Sequence, residues 1–253
     1  MTVFRYDKTW EGLLTAVFDA YARRTFPDSL LGPDEPEPMF TDETYTVATD
    51  PGRADRVWRG LAQKLDRGVR NMLMHVWLSE EDGCDRLLMR YMRKVFDSPH
   101  SIVTNFSDPD VLDIHKTALK VSREAEHVRQ FVRFQKASDG SYFAPIAPKY
   151  NALPLAIEYF TDRFADQRWL IYDTRRRYGY YYDLHKAVEV TLEDDAHLLE
   201  GKLGDEIIAQ DERLFQCMWR GYHKALTIKE RINPKLQRQH MPQRFWKHLT
   251  EKQ

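Results

Sequence analysis

The sequence has few of the residues and motifs that identify common classes of enzyme. Its 253 residues include two cysteines, Cys84 and Cys217, which are too few for a disulfide framework or a four-thiolate metal site, so both are predicted to be reduced core thiols. The phosphate-binding motifs GxGxxG and GxxxxGK(S/T) do not occur, nor do GxSxG and HExxH. We therefore predict no cofactor and no bound metal.

Long apolar segments are also missing. No run of about eighteen apolar residues occurs, and the N-terminal stretch MTVFRYDKTW lacks the apolar core of a signal peptide. These absences predict a cytoplasmic protein with no membrane partner. With 42% hydrophobic and 13% aromatic residues, the chain can nevertheless bury a substantial core.

The first part of the chain is predicted to be mainly helical. Apolar side chains recur at i, i+3, i+4 and i+7 from Trp10 to Tyr21, which places them on one face of a helix ending near Arg24. Asp50 followed by Pro51 indicates another helix start, because the carboxylate caps free amides and proline fits the first helical position. Further elements are predicted at about residues 3–6 (a strand), 64–77, 82–96 and 109–129 (helices).

The period of the apolar residues changes to nearly two after residue 131. Two runs, residues 131–136 and 142–146, flank the pair Asp139-Gly140, which suits a tight turn because glycine readily adopts positive φ. A helix at about residues 153–164 and three alternating strands follow. We therefore predict an α+β fold with a central antiparallel sheet, made of a hairpin, a helix and a three-strand meander, packed with N- and C-terminal helices.

The organisation of the chain predicts one compact α+β domain over residues 1–253. It divides into a helical region (1–130), an antiparallel sheet region (131–192) and a C-terminal helical region (205–253). In the last region, an apolar stripe from Ile207 to Tyr222 predicts a helix over about residues 205–226 that faces the core. Pro242 is expected to begin a short terminal helix.

A net charge of −1 hides a strong asymmetry along the chain. The segment Asp28–Asp55 holds eight acidic residues and one base, whereas residues 229–253 carry seven lysines and arginines against two glutamates. A basic tail with interleaved aromatic residues is typical of a protein with an anionic partner. The alternative that the charges only solvate a surface stays open at this point.

A second basic and aromatic stretch, TRRRYGYYYD, joins two of the predicted strands. Arginine pairs bidentately with phosphate, and tyrosine faces stack on unpaired bases, although an ordinary strand with a basic turn has the same pattern. Together with the tail, this stretch predicts a nucleic-acid-binding surface. Its members are Arg129, Arg133, Arg175, Arg176, Arg177, Arg231, Arg238, Arg244 and Lys247.

Glu124, Glu126 and His127 form a polar cluster where a predicted helix meets the first hairpin strand. A carboxylate beside an imidazole holds it in one tautomer, so Glu124 and His127 are candidates for acid–base catalysis. Solvation of a helix end accounts for the same residues.

Three blocks of the sequence resemble a known bacterial family. They are FRYDKTWEGLLTAVFDAYARRTFPDSL, FVRFQKASDGSYFAPIAPKYNALPLAIEYFTDRFADQRWLIYD and IKERINPKLQRQHMPQRFWKHLTE. The family is a domain of unknown function described as DNA repair or DNA metabolism proteins, commonly encoded beside a radical SAM protein and related to domains fused to uracil-DNA-glycosylase-like modules. The resemblance supplies no catalytic residues. It implies a working surface that includes Phe131–Phe134, Arg163, Phe164, Trp169, Tyr172, Asp173 and the terminal block.

These observations lead to one main hypothesis and two alternatives. The resemblance implies a DNA-repair or DNA-metabolism protein that binds nucleic acid, single-stranded or damaged DNA in particular, or binds a repair enzyme, with a radical SAM protein as partner. The first alternative is that the chain is itself a glycosylase- or hydrolase-like enzyme. The second is a structural adaptor.

Overall fold

A computed structural model describes residues 1–192, 208–209, 211–228 and 231–252 of the chain. The chain divides into two compact units, Met1–Val121 and Ser122–Gln253. The single domain expected from the sequence stays a prediction. Within the described residues, no helix has both the length and the hydropathy that crossing a bilayer requires.

The first unit combines helices with a small parallel sheet. Strand β1 lies between β2 and β3 and is parallel to both. Only β1 is expected from the sequence, since the other two strands are very short and lie on either side of a proline-rich loop. The elements are β1 (Thr2–Arg5), α1 (Trp10–Arg23), β2 (Ser29–Leu31), β3 (Glu43–Thr46), α2 (Pro51–Lys64), α3 (Arg67–Trp77), α4 (Cys84–Asp97) and α5 (Pro109–Phe131), whose last turns belong to the second unit.

The helix starts of the first unit follow from local chemistry. The Asp50 carboxylate accepts a hydrogen bond of 2.9 Å from the backbone N–H of Arg53, and Pro51 is the first residue of α2, as predicted. Asp66 caps α3 in the same way, by accepting from the N–H of Val69 over 2.8 Å. Such caps each stabilise a helix by about 1 kcal/mol.

The second unit contains a five-stranded sheet in the order β4-β5-β6-β7-β8, which is mostly antiparallel and confirms the α+β fold. The β5–β6 pair is parallel, because α6 carries the chain back to the end of the sheet where β5 begins. Strand β4 is shorter than predicted, since α5 continues to Phe131. The elements are β4 (Gln135–Lys136), β5 (Tyr142–Ile146), a 3-10 turn (Leu153–Leu155), α6 (Ile157–Arg163), β6 (Trp169–Asp173), β7 (Tyr178–Tyr182) and β8 (Ala187–Val190).

The core of this unit is aromatic. Trp169 and Phe160 are buried, with ring centroids 6.2 Å apart, and Phe245 from the C-terminal segment is 2% exposed. Close strand packing requires a glycine at Gly179, where a Cβ atom would lie 2.4 Å from the carbonyl oxygen of Ile171. The segment around Phe245 is therefore part of the fold.

The C-terminal part of the unit is helical. It contains α7 (Glu212–Leu226), α8 (Pro234–His240) and two 3-10 helices (Gln243–His248 and Thr250–Lys252). The predicted helix over residues 205–226 is seen from Glu212 onward. Of its predicted first part, residues 205–207 and 210 lie outside the described residues, whereas Ile208 forms an antiparallel bridge with Ala137 and is not helical. Pro242 caps the first 3-10 helix, close to the predicted terminal helix start.

The predicted burial of α7 is wrong. Leu214, Met218, Trp219 and Tyr222 are 40–61% exposed. Cys217 on the same helix is exposed as well, so it is not the core thiol that we expected, whereas Cys84 is partly buried. An amphipathic pattern predicts a helix with an apolar face, but it does not say whether another element covers that face.

Candidate nucleic-acid interface

The carboxylate of Glu124 is the centre of a buried polar cluster. Arg244 donates hydrogen bonds to both of its oxygens, and the bond from Nε is 2.8 Å long. The backbone N–H of Lys149 donates to Oε1 over 2.6 Å. Burial acts to raise the pKa of Glu124, but these hydrogen bonds outweigh it and the pKa is lowered. Glu124 is thus ionised, and both of its carboxylate oxygens accept hydrogen bonds.

The structure brings the two acid–base candidates together. Nδ1 of His127 lies 3.5 Å from Oε2 of Glu124, and the imidazole ring packs against Phe131 and Phe245 with centroids 5.8 and 6.0 Å away. A carboxylate already held by Arg244 has little capacity to take up a proton at neutral pH. The catalytic role of this pair stays a prediction, and its contacts are those of a packed structural cluster.

The arginines of the turn after β6 hold a neighbouring loop. Nη1 of Arg175 donates to the carbonyl of Lys149 over 2.9 Å, and Nη1 of Arg176 donates to the carbonyl of Pro148 over 3.2 Å and to Oδ2 of Asp173 over 2.9 Å. The side chain of Asp173 is completely buried, and burial raises its pKa despite the adjacent Arg176. The hydrogen bonds of these guanidinium groups therefore stabilise the turn after β6 and the loop that contains Pro148 and Lys149.

The other predicted phosphate contacts differ in how far the protein already uses them. Arg129 donates to the carbonyl of Leu155 over 3.0 Å and pairs with Glu126, and Arg133 pairs with Glu251. The remaining predicted cations are all exposed, namely Arg177, Arg231, Arg238 and Lys247. Arg177 and Lys247 also interact within the protein, and Nε of Arg238 donates to the carbonyl of Pro234 over 3.2 Å.

The structure also corrects the working surface that the resemblance implied. Trp169, Tyr172 and Asp173 are completely buried, and Phe134 and Phe164 pack against the aromatic core. These side chains maintain the sheet and the helices on it. The exposed part of the implied surface consists of Arg163, at the end of α6, and of residues in the C-terminal segment.

Sequence reasoning missed the most exposed aromatic surface of the second unit, which lies on α7. Five apolar residues of this helix are spaced so that they lie on one face, and each is 40–61% exposed: Phe215, Met218, Trp219, Tyr222 and Leu226. A second stripe, at positions i, i+4, i+7 and i+11, carries exposed Arg213, Cys217, Arg220 and Lys224. The spacing of both stripes is visible in the sequence, but apolar spacing alone favours a helix whose face is covered by the core.

A groove opens along the aromatic stripe. Its volume is about 700 Å³. Its walls come from α7, from Arg133 and Phe134 just after α5, and from Thr250 in the second C-terminal 3-10 helix. The indole N–H of Trp219 donates to Oε2 of Glu251 over 2.9 Å, while Nη2 of Arg133 donates to Oε1 of the same carboxylate over 2.8 Å. Burial acts to raise the pKa of Glu251, and the bonds from Arg133 and Trp219 lower it overall.

Possible metal ligands are spread over the part of the chain that the structure describes. No group of three or more His, Cys, Asp or Glu side chains there is placed to hold an ion. His248 is buried, with no hydrogen-bond partner for either ring nitrogen among the described residues, and burial lowers its pKa to about 4. It is a neutral core side chain.

Comparison with known proteins identifies the family of the chain. No curated protein matches the chain. The family described as a domain of unknown function, DUF4130, matches residues 82–251. This range includes α7, its groove and the Glu124–Arg244 cluster, but not the first of the three resembling blocks. The chain belongs to the DUF4130 family.

Proposed function

We propose that this protein binds single-stranded nucleic acid along α7 and α8, as a component of DNA metabolism. The observation that carries the proposal is the pair of exposed stripes on α7, one aromatic and one cationic. Aromatic faces stack on unpaired bases and cations neutralise phosphates, and proteins that bind single strands combine these two groups. Residues 211–252 hold ten lysines and arginines against four acids, so the net charge of this part favours a polyanion.

The same observation favours single strands over duplexes. The faces of the bases in a duplex are covered by their neighbours, and exposed rings such as Trp219 and Tyr222 can stack only on a base that is free of the helix. Arg231, just before α8, and Arg238, within it, are exposed cations that can add further phosphate contacts. Arg244 contributes less, because its guanidinium group already pairs with Glu124.

The finer biological role rests on the resemblance. Damaged DNA as the substrate, a role in repair and a radical SAM protein as partner are what the resembling family implies. A repair enzyme as partner would also explain the absence of a recognised catalytic motif in the sequence. Co-purification of the protein from its native host with a radical SAM protein, under conditions that keep DNA absent, tests this part separately.

The binding proposal is tested with a labelled oligodeoxythymidine titrated at a series of salt concentrations. Binding should weaken as salt rises, because each neutralised phosphate releases part of a condensed counterion. If Arg220 and Lys224 contact phosphates, their double alanine variant should lower the slope of log K against log salt by about 1.4, at about 0.7 per contact.

A matched control comes from the first unit. Arg59 is an exposed cation on α2, paired with Asp55, and Arg59→Ala should leave both the affinity and the salt slope unchanged. The proposal fails if the protein does not bind the oligonucleotide at low salt. It fails equally if the Arg220/Lys224 double variant keeps the wild-type slope.

A further inference from the structure

The groove beside Trp219 is large enough to hold one nucleotide. Its volume of about 700 Å³ lies within the range of about 300–1,000 Å³ that is typical of small-molecule sites. Apart from the rings of α7, its walls carry a few polar groups, among them Gln216 and Thr250. We infer that this groove is a slot for a single unpaired nucleobase, which stacks on Trp219. The inference rests on the proposed function, which it makes specific to one site.

Trp219 is held in place before any ligand binds. Its indole N–H is fixed by Glu251, whose side chain is only 3% exposed and is itself held by Arg133. The residue is nevertheless 40% exposed, so part of the ring remains accessible. A ring that is both anchored and accessible loses little conformational entropy when a flat ligand stacks on it.

The neighbouring groups suit a base better than an aliphatic ligand. The Tyr222 ring lies 5.8 Å from the Trp219 ring at an angle of 33°, and the Arg133 guanidinium carbon lies 5.9 Å from the Trp219 centroid. Two inclined rings and a planar cation form a lining that a heteroaromatic ring fills by stacking. An aliphatic partner would bury the polar groups of Gln216 and Thr250 and offer them no hydrogen bond beyond the one that Nε2 of Gln216 already makes to Glu212.

The charges around the slot also favour a ligand attached to phosphate. Among the described residues that line the groove, Glu212 is the single acid. Its carboxylate already accepts from the backbone N–H of Lys136 over 3.1 Å and from Nε2 of Gln216 over 2.9 Å. The cationic stripe with Arg220 and Lys224 lies on the same helix. A strand can therefore place one base in the groove while its phosphates reach cations.

A second tryptophan of the C-terminal segment provides an internal comparison. Nε1 of Trp246 donates to the carbonyl of Met241 over 2.9 Å, and the Lys252 ammonium lies 4.7 Å from its ring centroid. Trp246 is partly buried and does not line the groove. It serves as the matched control for Trp219.

The experiment is photocross-linking of the full chain to an oligodeoxythymidine with one 5-iododeoxyuridine, followed by mass spectrometry of the cross-linked peptide. The slot predicts attachment at Trp219 or Tyr222. In the salt titration, Trp219→Ala should weaken binding about 5- to 150-fold, the equivalent of about 1–3 kcal/mol, without changing the salt slope. Trp219→Phe should retain most of the affinity, and Trp246→Phe should bind as wild type.

The outcomes separate the two proposals. Salt-dependent binding with cross-links only outside the groove, or with Trp219→Ala at wild-type affinity, overturns the slot and leaves the proposed function standing. Absence of any binding to single strands overturns both. If Trp219→Ala does not fold, the cross-link to the wild-type chain and the Trp219→Phe variant decide.

Discussion

Replacing Arg244 by alanine is expected to destabilise the second unit, although this residue belongs to the basic tail. Its guanidinium group donates to both oxygens of Glu124, whose side chain is 3% exposed. Removing Arg244 leaves that carboxylate buried with the N–H of Lys149 and the ring of His127 as its remaining neighbours. Such a charge must then be hydrated or protonated, and both cost free energy.

The size of the effect follows from the exposure of the pair. Breaking a fully buried ion pair by removing one partner costs about 3–5 kcal/mol. The Arg244 side chain is 36% exposed, so water screens part of the interaction, and we expect a loss of about 2–3 kcal/mol. The double variant Glu124→Gln/Arg244→Ala should lose less than the sum of the two single variants.

The pair also gives the stability a defined dependence on pH. The folded state lowers the pKa of Glu124 below its usual 4.5, so the contribution is present above pH 4.5 and is lost as the pH falls through the lowered value. The difference between the wild type and Arg244→Ala should therefore shrink in acid.

Urea denaturation of the wild type, Glu124→Gln, Arg244→Ala and the double variant, at neutral and acidic pH, measures the coupling energy of the pair and its dependence on pH. Arg238→Ala, which removes an exposed arginine of the same tail, should change the free energy of unfolding by no more than about 0.5 kcal/mol. If Arg244→Ala is as stable as Arg238→Ala, and the cycle gives no coupling energy, the assignment of Arg244 to the fold is refuted.

Three further predictions concern other parts of the chain. Burial lowers the pKa of His248 from 6.5 to about 4, so the unfolded chain takes up a proton on this residue before the folded chain does. As the pH falls from about 6.5 to about 4, the wild type should therefore lose about 3 kcal/mol of unfolding free energy. Urea denaturation of a His248→Leu variant over the same pH range should not show this loss. Gly221→Ala adds a methyl group in open space on a helix and should stabilise the protein by about 0.5–1 kcal/mol. Gly179→Ala places its Cβ against the backbone of Ile171 and should destabilise the protein by about 1–3 kcal/mol. Thermal melts with the same midpoint for the two variants would contradict this contrast. An aromatic disulfide reagent should modify Cys217 quickly and Cys84 slowly, since burial raises the pKa of Cys84 to about 11; two equally fast thiols would be inconsistent with the structure.

Local signals in the sequence were sufficient for much of the fold. Some of these signals involve only a few neighbouring residues: the cap at Asp50, the turn at Asp139-Gly140 and the change of period after residue 131. The structure contains the helix and the hairpin that they predict. The parallel β5–β6 pair was missed because strand direction depends on where the crossover returns. The β1–β2–β3 sheet was missed because two of its strands have only three and four residues.

The candidate site was harder to predict, because its residues meet through tertiary contacts. Glu124 and Arg244 are 120 positions apart, and no pattern in the sequence distinguishes Arg244 from exposed Arg238. The periodicity of α7 defined its aromatic face, but whether such a face is covered depends on the surrounding elements. Trp219 was therefore assigned to the core, whereas the structure exposes it in a groove.

Binding of single strands along α7 is decided by the affinity of the full chain for a single-stranded oligodeoxynucleotide and for the duplex of the same sequence, each at low and at raised salt. We predict tighter binding to the single strand, because stacking on the rings of α7 requires free base faces, and weaker binding as salt rises. No binding at low salt, or equal affinity for the single strand and the duplex, would contradict it.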